Sequence, residues 1–127
     1  MDIQLDLPPY DPWVVRKILT DYDTCYGDHL ILPQSQFADF IIPEMKYSNP
    51  AMVQQIVSGN NVDVKIHIIE EGPQAADYRV TLEIHNHSYM ISRGWSDIVK
   101  ARDYKTGNEI GLMWENMLKR FILHQIS

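Results

Sequence analysis

Cys25 and His29 stand four residues apart, a spacing at which a thiol could pass its proton to an imidazole and become a nucleophile. The pair has no third residue to orient the ring, so it does not define a catalytic site. His85 and His87 flank Asn86 and could each offer a ring nitrogen to a metal ion. Two ligands in one polar turn, with no third partner in sequence, fall short of the set that zinc requires. Glu70 and Glu71 adjoin Gly72 and Pro73, a setting in which paired acids are solvated loop residues. No Gly-x-Ser-x-Gly, glycine-rich phosphate loop or His-Glu-x-x-His occurs. The expectation is a protein with no enzyme active site, no metal and no cofactor.

What remains is the chemistry of hydrogen bonds and charge. Asn86 can bond adenine through two atoms, while Ser88 or a neutral His85 or His87 can reach base edges or phosphates. An ordinary polar hairpin explains the same residues. Arg93, Lys100, Arg102 and Lys105 form the densest basic group. A solvated helix face accounts for them, and phosphate contacts by Arg93 and Lys100 are the alternative.

The chain has 127 residues, 45% hydrophobic and 22% charged, which suits one folded domain rather than two. Its apolar runs are a few residues long, and the first ten residues are acidic, so neither a membrane span nor an export leader is expected. Cys25 is the single cysteine, which excludes an intrachain disulfide and fits a reducing compartment, cytosol or nucleus. The formal net charge of −6 argues against nonspecific coating of nucleic acid. That charge is uneven. Eight acids up to Met45 face only Arg16 and Lys17, whereas from Lys46 onward nine acids balance nine bases.

Period-two alternation supplies the scaffold. Residues 62–69 place Val62, Val64, Ile66 and Ile68 on one face, and residues 78–85 place Tyr78, Val80, Leu82 and Ile84 inward with Arg79, Thr81, Glu83 and His85 outward. Residues 89–92 resume an extended run after the polar turn at 85–88, which predicts a hairpin. Residues 109–114 and 120–126 read as two more strands joined by 115–119, and 16–19 and 29–32 as two shorter ones. Helical signals are brief: residues 34–40 after Pro33, ended by Pro43, and residues 98–103 after the cap Ser96-Asp97. Residues 47–61, with Pro50, Gly59 and Asn60-Asn61, read as a long connection or local insertion. The three Trp residues read as core or rim packing. Seven short strands and two short helices predict a mainly β fold, a compact barrel or sandwich.

Several stretches, taken in order, resemble the plant B3 domain family. Gly94-Trp95-Ser96-Asp97-Ile98-Val99-Lys100, then Tyr104 to Gly107-Asn108-Glu109, then Ile110 to Trp114, is similar to the end of such a domain. Lys17-Ile18-Leu19-Thr20, Asp23, His29-Leu30-Ile31-Leu32-Pro33, Phe37-Ala38 and Ile42-Pro43-Glu44 resemble its opening. The resemblance is to the small, divergent, single-domain branch, with residues 1–11 as an N-terminal extension and 12–127 as the domain. It implies a seven-stranded open β-barrel with two short helices, a DNA-binding pseudobarrel.

The resemblance also implies a nuclear protein that binds double-stranded DNA in transcription regulation, two arms entering the major groove. The first arm is residues 20–29 with Lys17 at its base, and the second is the hairpin around 79–89. The contacts it implies are Lys17, Thr20, Tyr22, Tyr26, His29, Arg79, Thr81, His85, Asn86, His87, Ser88, Arg93 and Lys100. Asp21, Asp23 and Asp28 stand in the first arm where the family carries basic or neutral residues. Acids against a phosphate backbone subtract from the term that dominates affinity. A second reading follows: a B3-like scaffold with weakened or lost DNA binding, serving as a protein-interaction module, in one form a homodimer.

Overall fold

The alternation over 62–69 becomes strand β3 (Val62–Ile68), in which Val64, Ile66 and Ile68 are buried while Asp63 and Lys65 face solvent. Successive side chains of a strand leave opposite faces, so period two in sequence is a one-sided sheet in space. The computed structural model describes residues 13–26, 28–69 and 76–127. In them β3 is joined by β1 (Val15–Ile18), β2 (Leu30–Ile31), β4 (Ala76–His85), β5 (Ser88–Ile91), β6 (Glu109–Glu115) and β7 (Arg120–Gln125). These lie within a residue or two of the expected strands.

The strands form one sheet in the order β1-β6-β7-β3-β4-β5-β2, curled into the expected open half-barrel. Neighbours run antiparallel except β3 and β7, which pair in parallel with Ile66 opposite Phe121 and Ile68 opposite Leu123. The two edges are β1 and β2. Unpaired edge groups invite association with other chains unless they are covered. Here the Gln36 Oε1 accepts the backbone N–H of Arg16 on β1 at 2.9 Å, and the Lys17 ammonium donates to the carbonyl of Ile31 on β2. One side chain thus spans the open seam.

Helical structure exceeds the expectation. Helix α1 (Gln34–Gln36) passes through a π-helical turn, Phe37–Ile41, into α2 (Ile42–Ser48), and α3 (Pro50–Val57) follows. Pro43, expected to end the segment, lies in the first turn of α2, directly after the π-helical turn that leads into it. Residues 47–61, expected as a connection, contain α3 instead. Asn49 caps it, its side chain accepting the Met52 N–H at 3.4 Å, and Pro50 opens it. The reason for these helices is packing: Phe37, Ile41, Met45, Val53 and Ile56 are all buried, sealing the mouth of the half-barrel. The second expected helix is α4 (Trp95–Arg102).

Aromatic side chains fill the centre. The Phe37 ring lies 4.7 Å from Tyr89 and 6.1 Å from Phe121, and Trp114 meets Phe121 edge-on at 5.1 Å. Each such buried ring contributes about 2–3 kcal/mol through area removed from water, so the helical cover and the sheet stabilise each other.

Gly94 shows how tightly α4 is seated. Its φ is +97°, and a Cβ there would stand 2.5 Å from the carbonyl oxygen of Arg79 on β4. Gly107 has the same φ, but a Cβ there would meet nothing within 4 Å. Gly94→Ala should therefore cost about 2–4 kcal/mol of unfolding free energy and Gly107→Ala only about 1 kcal/mol. Urea midpoints at constant m measure both, and equal losses would contradict this account of the helix seat.

Candidate nucleic-acid interface

The first arm begins where β1 ends and is built on one buried acid. The Asp23 side chain is fully buried and accepts from the Thr20 N–H at 2.9 Å, the Thr20 hydroxyl at 3.0 Å and the Lys17 ammonium at 3.1 Å. A carboxylate removed from water needs this many partners. The main chain of Asp23 is tied as well, since its carbonyl accepts the Trp95 indole N–H at 2.8 Å.

The other two acids of the arm also turn onto their own protein. Asp21 accepts the Thr106 hydroxyl at 2.7 Å, and that hydroxyl lies 2.9 Å from Thr24 Oγ1. Asp28 accepts the backbone N–H of Ser96 at 2.7 Å. Gly94, at the cap position of α4, has no side chain to satisfy that donor, so Asp28 caps the helix from 68 residues away. Backbone bonds from Leu19 to Asn108 and from Gly107 to Leu19, both 2.8 Å, complete the mount.

Three of the expected contacts have partners inside the domain. Lys17 is held by Asp23 and Ile31, with 18% of its side chain exposed. The Thr20 hydroxyl is given to Asp23. Thr81, expected to face outward into solvent, is 7% exposed and donates to Asp63 at 3.2 Å. Of the three acids only Asp23 is buried; Asp21 and Asp28 stay exposed, as does Tyr22, 45% exposed, whose hydroxyl lies 3.3 Å from His29 Nε2 across an edge-on ring contact. His29 therefore pairs with Tyr22 and not with Cys25, which is exposed. The side chain of Tyr26 lies outside the described residues.

The second arm is a tight hairpin. His85 faces Ser88 across it, leaving Asn86 and His87 as the loop, with φ values of 51° and 66°. Two consecutive left-handed residues make the primed turn whose twist matches the flanking strands. Asn takes this conformation readily, whereas His holds it under strain. The rings and amide of His85, Asn86 and His87 stand exposed, and Ser88 is half-buried. Among the described residues no three His, Cys, Asp or Glu side chains converge on a metal position.

Strand pairing relates the two arms. β2 lies beside β5 with Ile31 opposite Met90, so the first arm enters at one end of β5 and the hairpin turns at the other. The four residue steps from Ser88 to Ser92 set these ends about 13 Å apart. Between them Thr81 donates its N–H to Arg93 O while Ser92 donates to Thr81 O, so two residues oppose one. That bulge re-aims the strand and leaves the Arg93 side chain exposed. Arg79, exposed on β4 opposite Lys65, and Lys100, exposed on α4, share with Arg93 the lack of any ion pair among the described residues. Trp95 and Asp28 were not legible as arm supports, because their partners lie 72 and 68 residues away.

Lys17→Met leaves the buried Asp23 carboxylate without its counter-charge, and the expected loss is about 3 kcal/mol. Arg93→Ala removes an unpaired surface cation and should stay within about 0.5 kcal/mol of the parent. Denaturant unfolding of the two variants checks both, and an innocuous Lys17→Met would rule out the seam role.

The family model described as B3 domain-containing protein At5g26805, C-terminal domain, matches residues 13–125. Putative B3 domain-containing protein At1g51970 of Arabidopsis thaliana is 44% identical over 127 residues, covering 100% of this chain and 97% of the relative. B3 domain-containing protein At1g10455 of the same plant is 32% identical over 122 residues, covering 94% and 76%. Among solved structures, that of the Arabidopsis FUS3-DNA complex superposes with a TM-score of 0.59 at 14% identity, over 90% of this chain and 96% of that one. Model and relatives agree over nearly the whole length, and this chain belongs to the plant B3 domain family.

Proposed function

We propose that this protein is a sequence-preferring double-stranded DNA-binding domain of a plant transcriptional regulator, acting in the nucleus and reading the major groove with its two arms. The observation that carries the reading is the disposal of the acids. Asp21, Asp23 and Asp28 accept hydrogen bonds from the domain's own scaffold, while Arg79, Arg93 and Lys100 keep their cationic heads in solvent without an ion pair among the described residues. Net charge thus misstates the field at the arms, because a carboxylate held at a helix N-terminus is neutralised in part by the dipole it faces. Membership of the B3 family supports the reading, as does likeness of fold to a domain solved on DNA.

In this account Arg79, Arg93 and Lys100 bind phosphates and set register, whereas the arm tips read bases. Tyr22 with His29 beside it, and Tyr26, serve the first arm. His85, Asn86, His87 and Ser88 serve the second, with the Asn86 amide suited to the adenine edge. The arm ends, about 13 Å apart along β5, match a groove about 12 Å wide. Lys17, Thr20 and Thr81 support the arms from inside.

Selection from a randomised duplex pool, followed by titration across a salt series, tests this. Three phosphate contacts predict a slope of log K against log salt near −3, and Arg79→Ala or Arg93→Ala should each reduce it by about one. Failure to retain any duplex at low salt would sink the proposal and leave the protein-interaction reading. His87→Gly should relax the strained turn, raising stability by about 0.5–1 kcal/mol while weakening selected-site binding. A variant both more stable and equally tight would remove His87 from the contact set.

A further inference from the structure

We infer that Thr106 is a positioning residue for the first arm: its hydroxyl, carried on the turn that follows α4, pins Asp21 and Thr24 and holds the arm in the conformation that meets DNA, an inference that rests on the function proposed above. Asp21 immediately precedes the π-helical turn Tyr22–Tyr26, and Thr24 lies at the middle of that turn. The Thr106 hydroxyl donates to Asp21 Oδ1 at 2.7 Å and lies 2.9 Å from Thr24 Oγ1. One side chain, 85 and 82 positions away in sequence, thus grips the arm at two points.

The hydroxyl is a fixed point because its own turn is clamped. Gly107 donates its N–H to Leu19 O and Leu19 donates to Asn108 O, both at 2.8 Å, which ties the turn to the end of β1. Within the turn Asn108 Oδ1 accepts the Lys105 N–H at 2.8 Å, and the Asn108 N–H meets Lys105 O at 3.0 Å. Tyr104, 5% exposed, packs its ring 6.2 Å from Trp95 and seats the other end of the turn in the core. Trp95 bonds the Asp23 carbonyl and the Ser96 N–H bonds Asp28, so the start of α4 holds the arm at 23 and 28 while the turn beyond its end holds it at 21 and 24. Thr106 and Asp21 are both exposed, so their bond adds little to global stability and its effect falls on the arm. An arm that becomes ordered only on binding binds more weakly than one already held. Asp21 therefore has two opposed effects: its charge repels phosphate, and its oxygen orders the arm.

Substitutions in the full chain separate those two effects. Asp21→Asn removes the charge but keeps an acceptor for Thr106, whereas Asp21→Ala removes both. On a duplex selected by the parent, Asp21→Asn should bind at least as tightly as the parent, and Asp21→Ala about fivefold more weakly than Asp21→Asn, the equivalent of one ordinary hydrogen bond. Thr106→Val should weaken binding about fivefold at an unchanged urea midpoint, and Thr106→Ser should retain the parental affinity. In the free protein, NMR order parameters of the amides of 21–26 should fall in Thr106→Val and keep their parental values in Thr106→Ser. Equal affinities of the two Asp21 variants, parental order parameters in Thr106→Val, or a Thr106→Ser variant that behaves like Thr106→Val would each overturn the inference. A parent that retains no duplex sinks the proposed function instead, and the order parameters of the free arm then decide whether Thr106 holds it.

Discussion

The Lys17–Asp23 pair closes a sheet that would otherwise be open. A half-barrel with β1 and β2 at its edges has nothing in the backbone ladder to hold those edges at a fixed separation. Lys17 starts on β1, reaches the Ile31 carbonyl on β2 and ends on the buried Asp23 carboxylate. Buried ion pairs add little net stability over apolar replacements, yet they penalise every arrangement that separates the partners. That penalty fixes the seam, and the seam fixes the point from which the first arm departs.

From that point the arm is held by side chains that look hostile to nucleic acid in sequence. Three carboxylates serve three internal donors: an ammonium, a hydroxyl and a helix N-terminus. Each contact holds an arm whose own regular structure is a single π-helical turn, Tyr22–Tyr26. At Asp23 the economy is electrostatic as well as mechanical, since the Lys17 ammonium 3.1 Å away balances its charge. Counting acids along the chain cannot see this, because the donors to Asp28 and Asp21 arrive from residues 68 and 85 positions later.

The sheet was legible because β-strands write their burial directly into sequence at period two, as in Val64, Ile66 and Ile68. The hairpin at Asn86-His87 was legible for the same reason, being flanked by such runs. Of the helices before β3, the stretch 34–40 was legible, but α2 and α3 were not. Pro43 and Pro50 read as breaks, although each begins a helix, and the cap at Asn49 is a short signal inside a polar stretch. The family resemblance located the arms, but the placement of Lys17 and Thr81 inside the structure needed the pairing of strands remote in sequence. A lysine on a strand is exposed by default, and only the buried Asp23 draws it inward.

The parallel contact between β3 and β7 has a consequence for how the chain acquires its fold. Antiparallel neighbours such as β4 and β5 can close through a local turn, but Ile66 finds Phe121 only after the whole of β4 to β6 has been threaded. Val15 likewise waits for Leu112. Loop closure over such separations is slow, and high contact order places this domain among the late folders for its size. On the ribosome the β3–β4–β5 meander can form early, but its free β3 edge stays exposed until β7 emerges. The core is completed in one late step, by the last strand made.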